Sequence, residues 1–529
     1  MKKSKGLIFS VLAVLMVAVA TAAILLIPKN SGALTADFYI NGQAYNNQLV
    51  YGVDGTGNLF EPNKEITVVI DCQKKDFSGK QAEVKISAGQ GGFFKKERVT
   101  LGKGQKVAFT PDCNGIYTVS FKTPDNKSHS FTVAVMPKNE RASDDFYYGI
   151  QPYLTRAYYW GEGFALPNCD GDKSVDLMLD AAEYMGVNLV REDSVGWGAV
   201  QSKAMGDANF TQQDYIVNKV NERGMKLNLI FGFNAGKWSA SSEFQNNYDE
   251  SKGWTYAPNP EYWHDYVTKT AAHYKNNTDI LWEIWNEPNW EPFFTGTKEQ
   301  YFDLLEIAAK AFKTANPKSY LFSGGLAVAE KEGNLPYYQK AASLIDSGLI
   351  DGYGYHNHDG YDTYFDNMAK MQGVINNAGL TAGGINSESG SYNAQPDLLA
   401  CKALYTRASG AKGFVSFAFR KSVTPENDIN EFAYFNEYLQ PTEAVVAYST
   451  VIRFLGKATF TKMVTNTKNL QVDQYTKDGK KILVYYSMGS NSTTTAPTGN
   501  YTAYDMYGNE KRVESTVEVS TEPIYFVYK

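Results

Sequence analysis

The chain of 529 residues holds little cysteine, and none of it is arranged as a scaffold. Four Cys exclude a small disulfide-stapled fold, and no Cys-x-x-Cys or Cys/His cluster marks structural zinc. An excess of positive charge is also missing. Lys plus Arg number 51 against 57 Asp plus Glu, giving −6 and a pI near 5.6, which removes the electrostatic footprint of a dedicated nucleic-acid binder. At 43% hydrophobic and 20% charged residues, the composition excludes wholesale disorder. What is plentiful is aromatic, 14% of the chain with 37 Tyr and 8 Trp, and its meaning depends on where the rings fall.

Lys2, Lys3 and Lys5 precede an apolar run from Leu7 to Ile27, broken by Ser10 and Thr21. A positive end followed by such a run is the pattern of an export signal. Ala20-Thr21-Ala22 has the small residues of a cleavage site. Ile24-Leu25-Leu26-Ile27 carries the run past it, toward the ~20 residues that span a bilayer. Residues 1–30 are therefore expected to be a signal peptide or a transmembrane signal anchor, with the remainder outside the cytoplasm. In that setting Cys72 and Cys113 could pair across two strands, while Cys169 and Cys401 read as small buried residues.

Residues 36–136 carry short β-runs such as Ile66–Ile70, Glu83–Ile86, Tyr117–Phe121 and Phe131–Val135, the pattern of an immunoglobulin-like β-sandwich. Residues 140–440 alternate apolar strand with amphipathic helix. The strands are expected at Phe146–Ile150, Val187–Arg191, Leu227–Phe233, Ile280–Asn286, Ser319–Gly324, Asp351–His356, Ala382–Ser387 and Gly413–Phe419. Eight such units suit a (β/α)8 barrel of ~250 residues. A doubly wound open sheet is the alternative, but no Gly-rich phosphate turn follows the first strand. Residues 441–529 return to β character through Lys481–Tyr486, Tyr501–Tyr507 and Glu522–Tyr528. The expected fold class is thus α/β: a barrel flanked by an N-terminal sandwich and a small C-terminal β-domain, preceded by the hydrophobic segment.

Leu281-Trp282-Glu283-Ile284-Trp285-Asn286-Glu287-Pro288-Asn289 closes the fourth strand, and barrel active sites sit at the carboxyl ends of strands. Alternation puts Trp285 and Glu287 on one side until the proline ends the ladder. A carboxylate crowded by indoles is partly desolvated, which favours the protonated form a general acid needs. Glu388, in Gly384-Ile385-Asn386-Ser387-Glu388-Ser389-Gly390, closes the seventh strand on a nearly opposite wall. Two such groups can flank one glycosidic bond; carboxyls ~5–5.5 Å apart retain configuration and ~6.5–9.5 Å apart invert it. His356 and His358 lie at i and i+2 on the sixth strand, but no third ligand is evident and catalytic zinc needs three, so neither a metal nor a cofactor is expected.

With Trp-Asn-Glu-Pro on strand four and a Glu ending strand seven, residues 140–440 resemble the clan A retaining glycoside hydrolases, families 39 and 5 in particular. The resemblance implies a covalent glycosyl-enzyme mechanism, with Glu287 as acid/base and Glu388 as nucleophile. It further implies that Arg191, ending Gly186-Val187-Asn188-Leu189-Val190-Arg191, holds the nucleophile ionised, and that Asn286 contacts the sugar 2-hydroxyl. His356 carries over from the clan's His-x-Tyr pattern, with His358 standing where the Tyr is usual. Phe417 and Phe419 replace a customary Trp on strand eight as an aromatic floor.

Trp160, Trp197, Trp238 and Trp290 follow strand ends, where flat rings can stack on sugars; Trp263 and Trp282 read as core. The long segment Ala235–Pro260, with Trp238 and Trp254, is a candidate wall or lid. The expected function is an exported retaining glycosidase acting, as a monomer, on a poly- or oligosaccharide. Nucleic acid is not an expected partner, and the membrane is one only through an uncleaved N-terminal segment. The alternative is a non-catalytic carbohydrate-binding cell-surface protein on a decayed barrel.

Overall fold

A computed structural model describes residues 44–529 apart from 46–48, 54–55, 73–74, 90–91, 162, 168, 381–382 and 425–426. The N-terminal apolar run lies outside the described residues. Among those described, no helix is long and apolar enough to cross a membrane.

The centre is a closed parallel barrel of β1 (Tyr147–Ile150), β2 (Leu189–Asp193), β3 (Lys226–Phe231), β4 (Ile280–Ile284), β5 (Tyr320–Leu326), β6 (Gly352–His356), β7 (Gly384–Gly390) and β8 (Gly413–Phe417). Each lies within a few residues of its expected place. The helices that follow are α1 (Gly171–Met185), α2 (Thr211–Asn221), α3 (Pro260–His273), α4 (Lys298–Ala315), α5 (Leu335–Asp346), α6 (Tyr364–Asn377), α7 (Pro396–Ala408) and α8 (Glu443–Leu455). Capping shows why they start and stop where they do. Asp170 accepts from Lys173 N at the head of α1, Gly186 ends it in the left-handed region at φ 80°, and Thr297 with Gln300 forms a capping box on α4. Helix α8 begins beyond the boundary expected at 440, and its buried residues belong to the barrel's core.

Strand alternation divides the barrel interior into two storeys. Leu189, Leu281, Phe322, Ile385 and Val415 fill the bottom as a small apolar cluster. Two residues further along β2 and β4, on the same faces, stand Arg191 and Glu283, both fully buried. The apolar layer holds the barrel closed, and the polar layer above it is the floor of the mouth.

The N-terminal unit is a sandwich of two sheets. One has the order 44–45, 49–53, 66–72, 105–109; the other 59–60, 128–135, 115–122, 81–88, 94–100. Val68, Ile70 and Val107 of the first face Val84, Val119 and Val133 of the second, in the immunoglobulin-like arrangement expected. Cys72 and Cys113 lie half-buried at the edge of this core. The C-terminal unit pairs Thr459–Thr467, Leu470–Lys477, Lys480–Tyr486, Ile524–Tyr528 and Tyr501–Tyr504 in one antiparallel sheet, with a ribbon of Ser492–Thr495 and Thr516–Val519.

The two outer units touch each other as well as the barrel. Asn114 N donates to Asn509 Oδ1 at 2.8 Å, Asn509 Nδ2 to Asn114 O at 3.0 Å, and Asn114 Nδ2 to Gly508 O at 3.1 Å. Thr132 of the sandwich donates to Pro441 O just before α8.

Candidate active site

Arg191, at 0% exposure, organises the mouth. Its Nε donates to Glu283 Oε2 at 2.8 Å and its Nη2 to Glu283 Oε1 at 3.1 Å and Asn286 Oδ1 at 2.7 Å. Its Nη1 donates to Glu388 Oε2 at 2.6 Å and Gln151 Oε1 at 2.8 Å. Every N–H of the guanidinium fork has an acceptor, which fixes its plane.

Glu388 reaches this network because β7 is irregular. Simple alternation would aim Ser387 inward and Glu388 outward. The register shifts between Asn386 and Ser389, and again opposite His356, and this local bulge re-aims the carboxylate. His358 Nε2 lies 3.3 Å from Glu388 Oε1, while Gly390 N donates to His358 Nδ1 at 3.1 Å. The backbone donor makes Nδ1 the acceptor, so the proton sits on Nε2 and points at the carboxylate. Burial raises the Glu388 pKa, but His356, His358 and Arg191 together hold it far below the usual carboxylate range.

Glu287 occupies a different environment, 7% exposed, with Oε1 2.8 Å from His356 Nδ1. The β-ladder stops at Ile284, earlier than the expected Asn286, because Trp285 and Glu287 adopt left-handed backbone at φ 73° and 46°. Strand alternation therefore does not set the direction of Glu287. Trp285 turns down into the core, its Nε1 donating to Phe293 O at 2.9 Å, and Glu287 stays at the rim of the barrel. Glu287 N is tied to Gly325 O on β5 at 3.0 Å.

Burial opposes a charge on His356, but Glu388, Glu283 and Glu287 outweigh it and lift its pKa to about 9. As a cation at neutral pH it donates from Nδ1 to Glu287 and from Nε2 to Ser387 Oγ at 3.2 Å. Ser387 Oγ in turn donates to Glu283 Oε1 at 2.8 Å. Burial likewise works against ionised Glu283, yet Arg191 and His356 hold its pKa down at about 2.

Several of these residues escaped the sequence reading. Glu283 was the one with a signal, a carboxylate on the inward face of a strand otherwise built of Leu, Trp and Ile, where an unpaired charge could not stay. Gln151, Ser387 and Asn228, whose Nδ2 donates to Glu283 Oε2 at 2.9 Å, have no comparable mark. Lys402 of α7 was missed too; it is fully buried and donates to Gly390 O at 2.6 Å and Asn357 O at 3.4 Å, anchoring the ends of β6 and β7. Burial brings its pKa down to about 7.

The expected aromatic contacts divide. Trp197 is 1% exposed, stacked on Tyr266 with centroids 4.9 Å apart, and Phe419 is 0% exposed between Tyr434 and Phe435. Neither offers a face to a sugar, because the layer between strands and helices absorbs both rings. Trp238, Trp254 and Trp290 are half-buried and Trp160 is 42% exposed, so these keep accessible surface. Phe417 packs edge-on to His358 at 5.4 Å. Segment 235–260 is folded rather than loose, with a short helix Ser242–Gln245, a 3-10 turn Glu250–Thr255 and a bridge from Tyr256 to Thr295.

The His pair has a third potential ligand after all, since atoms of His356, His358 and Glu388 lie within 4.8 Å of one another. Glu388 already gives Oε2 to Arg191 and Oε1 to His358, and His356 is engaged with Glu287 and Ser387, a donor set that suits a carboxylate network better than a cation.

Known proteins resemble this chain in sequence and in fold. Residues 160–379 match the family model described as cellulase (glycosyl hydrolase family 5). A β-xylosidase of Geobacillus stearothermophilus is 31% identical over 129 residues, 23% of this chain and 24% of that protein. The chain thus matches about a quarter of that curated relative's length. A family 39 glycoside hydrolase from Bacteroides cellulosilyticus superposes with a TM-score of 0.65 at 17% identity, covering 89% of this chain and 98% of that one. A monomeric β-xylosidase from Caulobacter crescentus gives 0.50 at 14% identity, covering 73% and 97%.

Proposed function

We propose that this chain, which resembles the clan A glycoside hydrolases in motif and fold, is an exported glycosidase that cleaves O-glycosidic bonds of a poly- or oligosaccharide with retention of configuration. One observation carries the reading. Two carboxylates share the mouth, Glu388 bound by Arg191 and His358 and held as an anion, and Glu287 at the barrel rim on His356.

In the first step a Glu388 oxygen attacks the anomeric carbon while Glu287 gives its proton to the glycosidic oxygen, and the aglycone leaves as an alcohol. In the second, Glu287, now a carboxylate, takes a proton from water, whose oxygen displaces Glu388 and frees the sugar. Asn286 accepts from Arg191 through Oδ1, which leaves its amide nitrogen to donate to the sugar's 2-hydroxyl. The β-xylosidase likeness makes xylo-oligosaccharides the first substrates to try. Export rests on Lys2, Lys3, Lys5 and the apolar run to Ile27, and cell fractionation tests it.

The catalytic assignment makes separable predictions. Glu388→Ala should abolish turnover of an aryl glycoside. Glu287→Gln should cost about 10²–10⁴-fold on an ordinary glycoside but far less on one with a good leaving group, which needs no proton. Equal losses on both substrates would refute the acid/base role. The first-formed anomer, followed by NMR, should keep the substrate's configuration; an inverted product would rule out double displacement.

A further inference from the structure

A cavity of about 490 Å³ lies away from the catalytic carboxylates, where three parts of the chain meet. The sandwich contributes Ser130 and Thr132, the segment after β7 contributes Asn393, and the segment leading into α8 contributes Asn436, Gln440 and Glu443. Helices α7 and α8 both begin at this cavity, which puts it on the face where the barrel strands end, the same face as Glu287 and Glu388.

Its chemistry is that of a neutral polyol site. Amides and hydroxyls dominate the polar lining, interleaved with apolar groups, and Glu443 is its charged member. Asn436 Nδ2 donates to Gln440 Oε1 at 2.9 Å, which orients the Gln440 amide and brings its nitrogen as a donor. The walls are held in unusual backbone. Asn393 and Ala394 of the lining, and Leu439 just before Gln440, are non-glycine residues at φ 57°, 50° and 58°, a conformation kept where surroundings over-determine it and concentrated at ligand clamps. The volume lies within the ~300–1,000 Å³ of small-ligand pockets, on the order of one or two sugar rings.

A track of rings joins this cavity to the nucleophile. His358, on Glu388, packs against Phe432 with centroids 5.7 Å apart, and Phe432 packs against Phe417 at 5.6 Å. Phe432 then meets Tyr392 edge-on at 5.9 Å. Tyr392 is 42% exposed and immediately precedes Asn393 in the cavity wall. An exposed aromatic face between a glycosidase mouth and a neutral hydrogen-bonding cavity is a surface on which a sugar chain lies flat.

We propose that the cavity is a distal binding site for the same neutral polysaccharide, reached along Tyr392, so that the N-terminal sandwich is part of the substrate-binding surface. This rests on the glycosidase reading and adds to it a polymeric, uncharged substrate held at a distance from the cleaved bond.

The test is binding, which does not depend on turnover. Full-length Glu388→Gln chain is titrated calorimetrically with short and long members of the xylo-, cello- and manno-oligosaccharide ladders. For at least one ladder the long member should bind tighter than the short one. Tyr392→Ala and Gln440→Ala should each reduce that gain, Tyr392→Ala by about tenfold, while leaving the short member's affinity unchanged. Tyr392 is exposed, so truncating it leaves the core intact. Affinity independent of length in all three ladders, or equal loss for short and long members, would overturn the distal site. Failure of the glycosidase reading would show differently, as wild-type chain that cleaves no glycoside.

Discussion

The charges at the mouth form one network in which Arg191 and His356 face Glu283, Glu287 and Glu388. Removing a member strands a buried partner, whose cost exceeds the worth of any one pair. The sign of the pH dependence follows from the shifts. His356, lifted from 6.5 to about 9, contributes stability that is complete below about 6.5 and is lost as pH rises through about 9. Glu283, depressed from 4.5 to about 2, contributes stability that is complete above about 4.5 and is lost as pH falls through about 2. Both contributions are therefore full between about 4.5 and 6.5. Scanning calorimetry should find that wild type loses stability between pH 6.5 and 9 by up to about 3 kcal/mol more than His356→Gln. Parallel curves for the two proteins would show that His356 does not bear the charge.

At the scale of elements, the strand ends do the positioning, and β5 shows how little freedom they have. A Cβ on Gly325 would sit 2.1 Å from His356 Nε2 and 2.7 Å from Ser387 Oγ. The same glycine donates its N–H to Glu283 Oε1 at 3.1 Å and accepts from Glu287 N. Gly325→Ala should therefore cost about 1–3 kcal/mol by overpacking and lower kcat more than it raises KM, because it displaces His356. Unchanged kcat together with reduced thermal stability would contradict this. The same strand ends mark where sequence reasoning stopped. Period-2 patterning located the strands, so the barrel and the place of the Trp-Asn-Glu-Pro motif at the end of β4 were legible, whereas Glu283 on the inward face of that strand was not singled out. The bulge that turns Glu388 inward, the left-handed Trp285 and Glu287, and the burial of Trp197 and Phe419 were not. These depend on contacts between strands far apart in the chain, which no local pattern encodes.

For the molecule as a whole, the barrel is held between two β-units that clasp each other through Asn114 and Asn509. Asn509→Ala would leave the Asn114 backbone N–H and C=O without those partners, at about 1–3 kcal/mol. The expected readout is earlier proteolytic release of the sandwich, with hydrolysis of short aryl glycosides unaffected. Unaltered proteolysis would mean that the contacts of α8 suffice. The clasp also orders events in time. A ribosome makes the sandwich before the barrel and residue 509 after it, so at about 5–20 residues per second the sandwich waits tens of seconds for that partner. Its docking on the barrel waits for Pro441 and Glu443, and the cavity between sandwich and barrel comes into being only then.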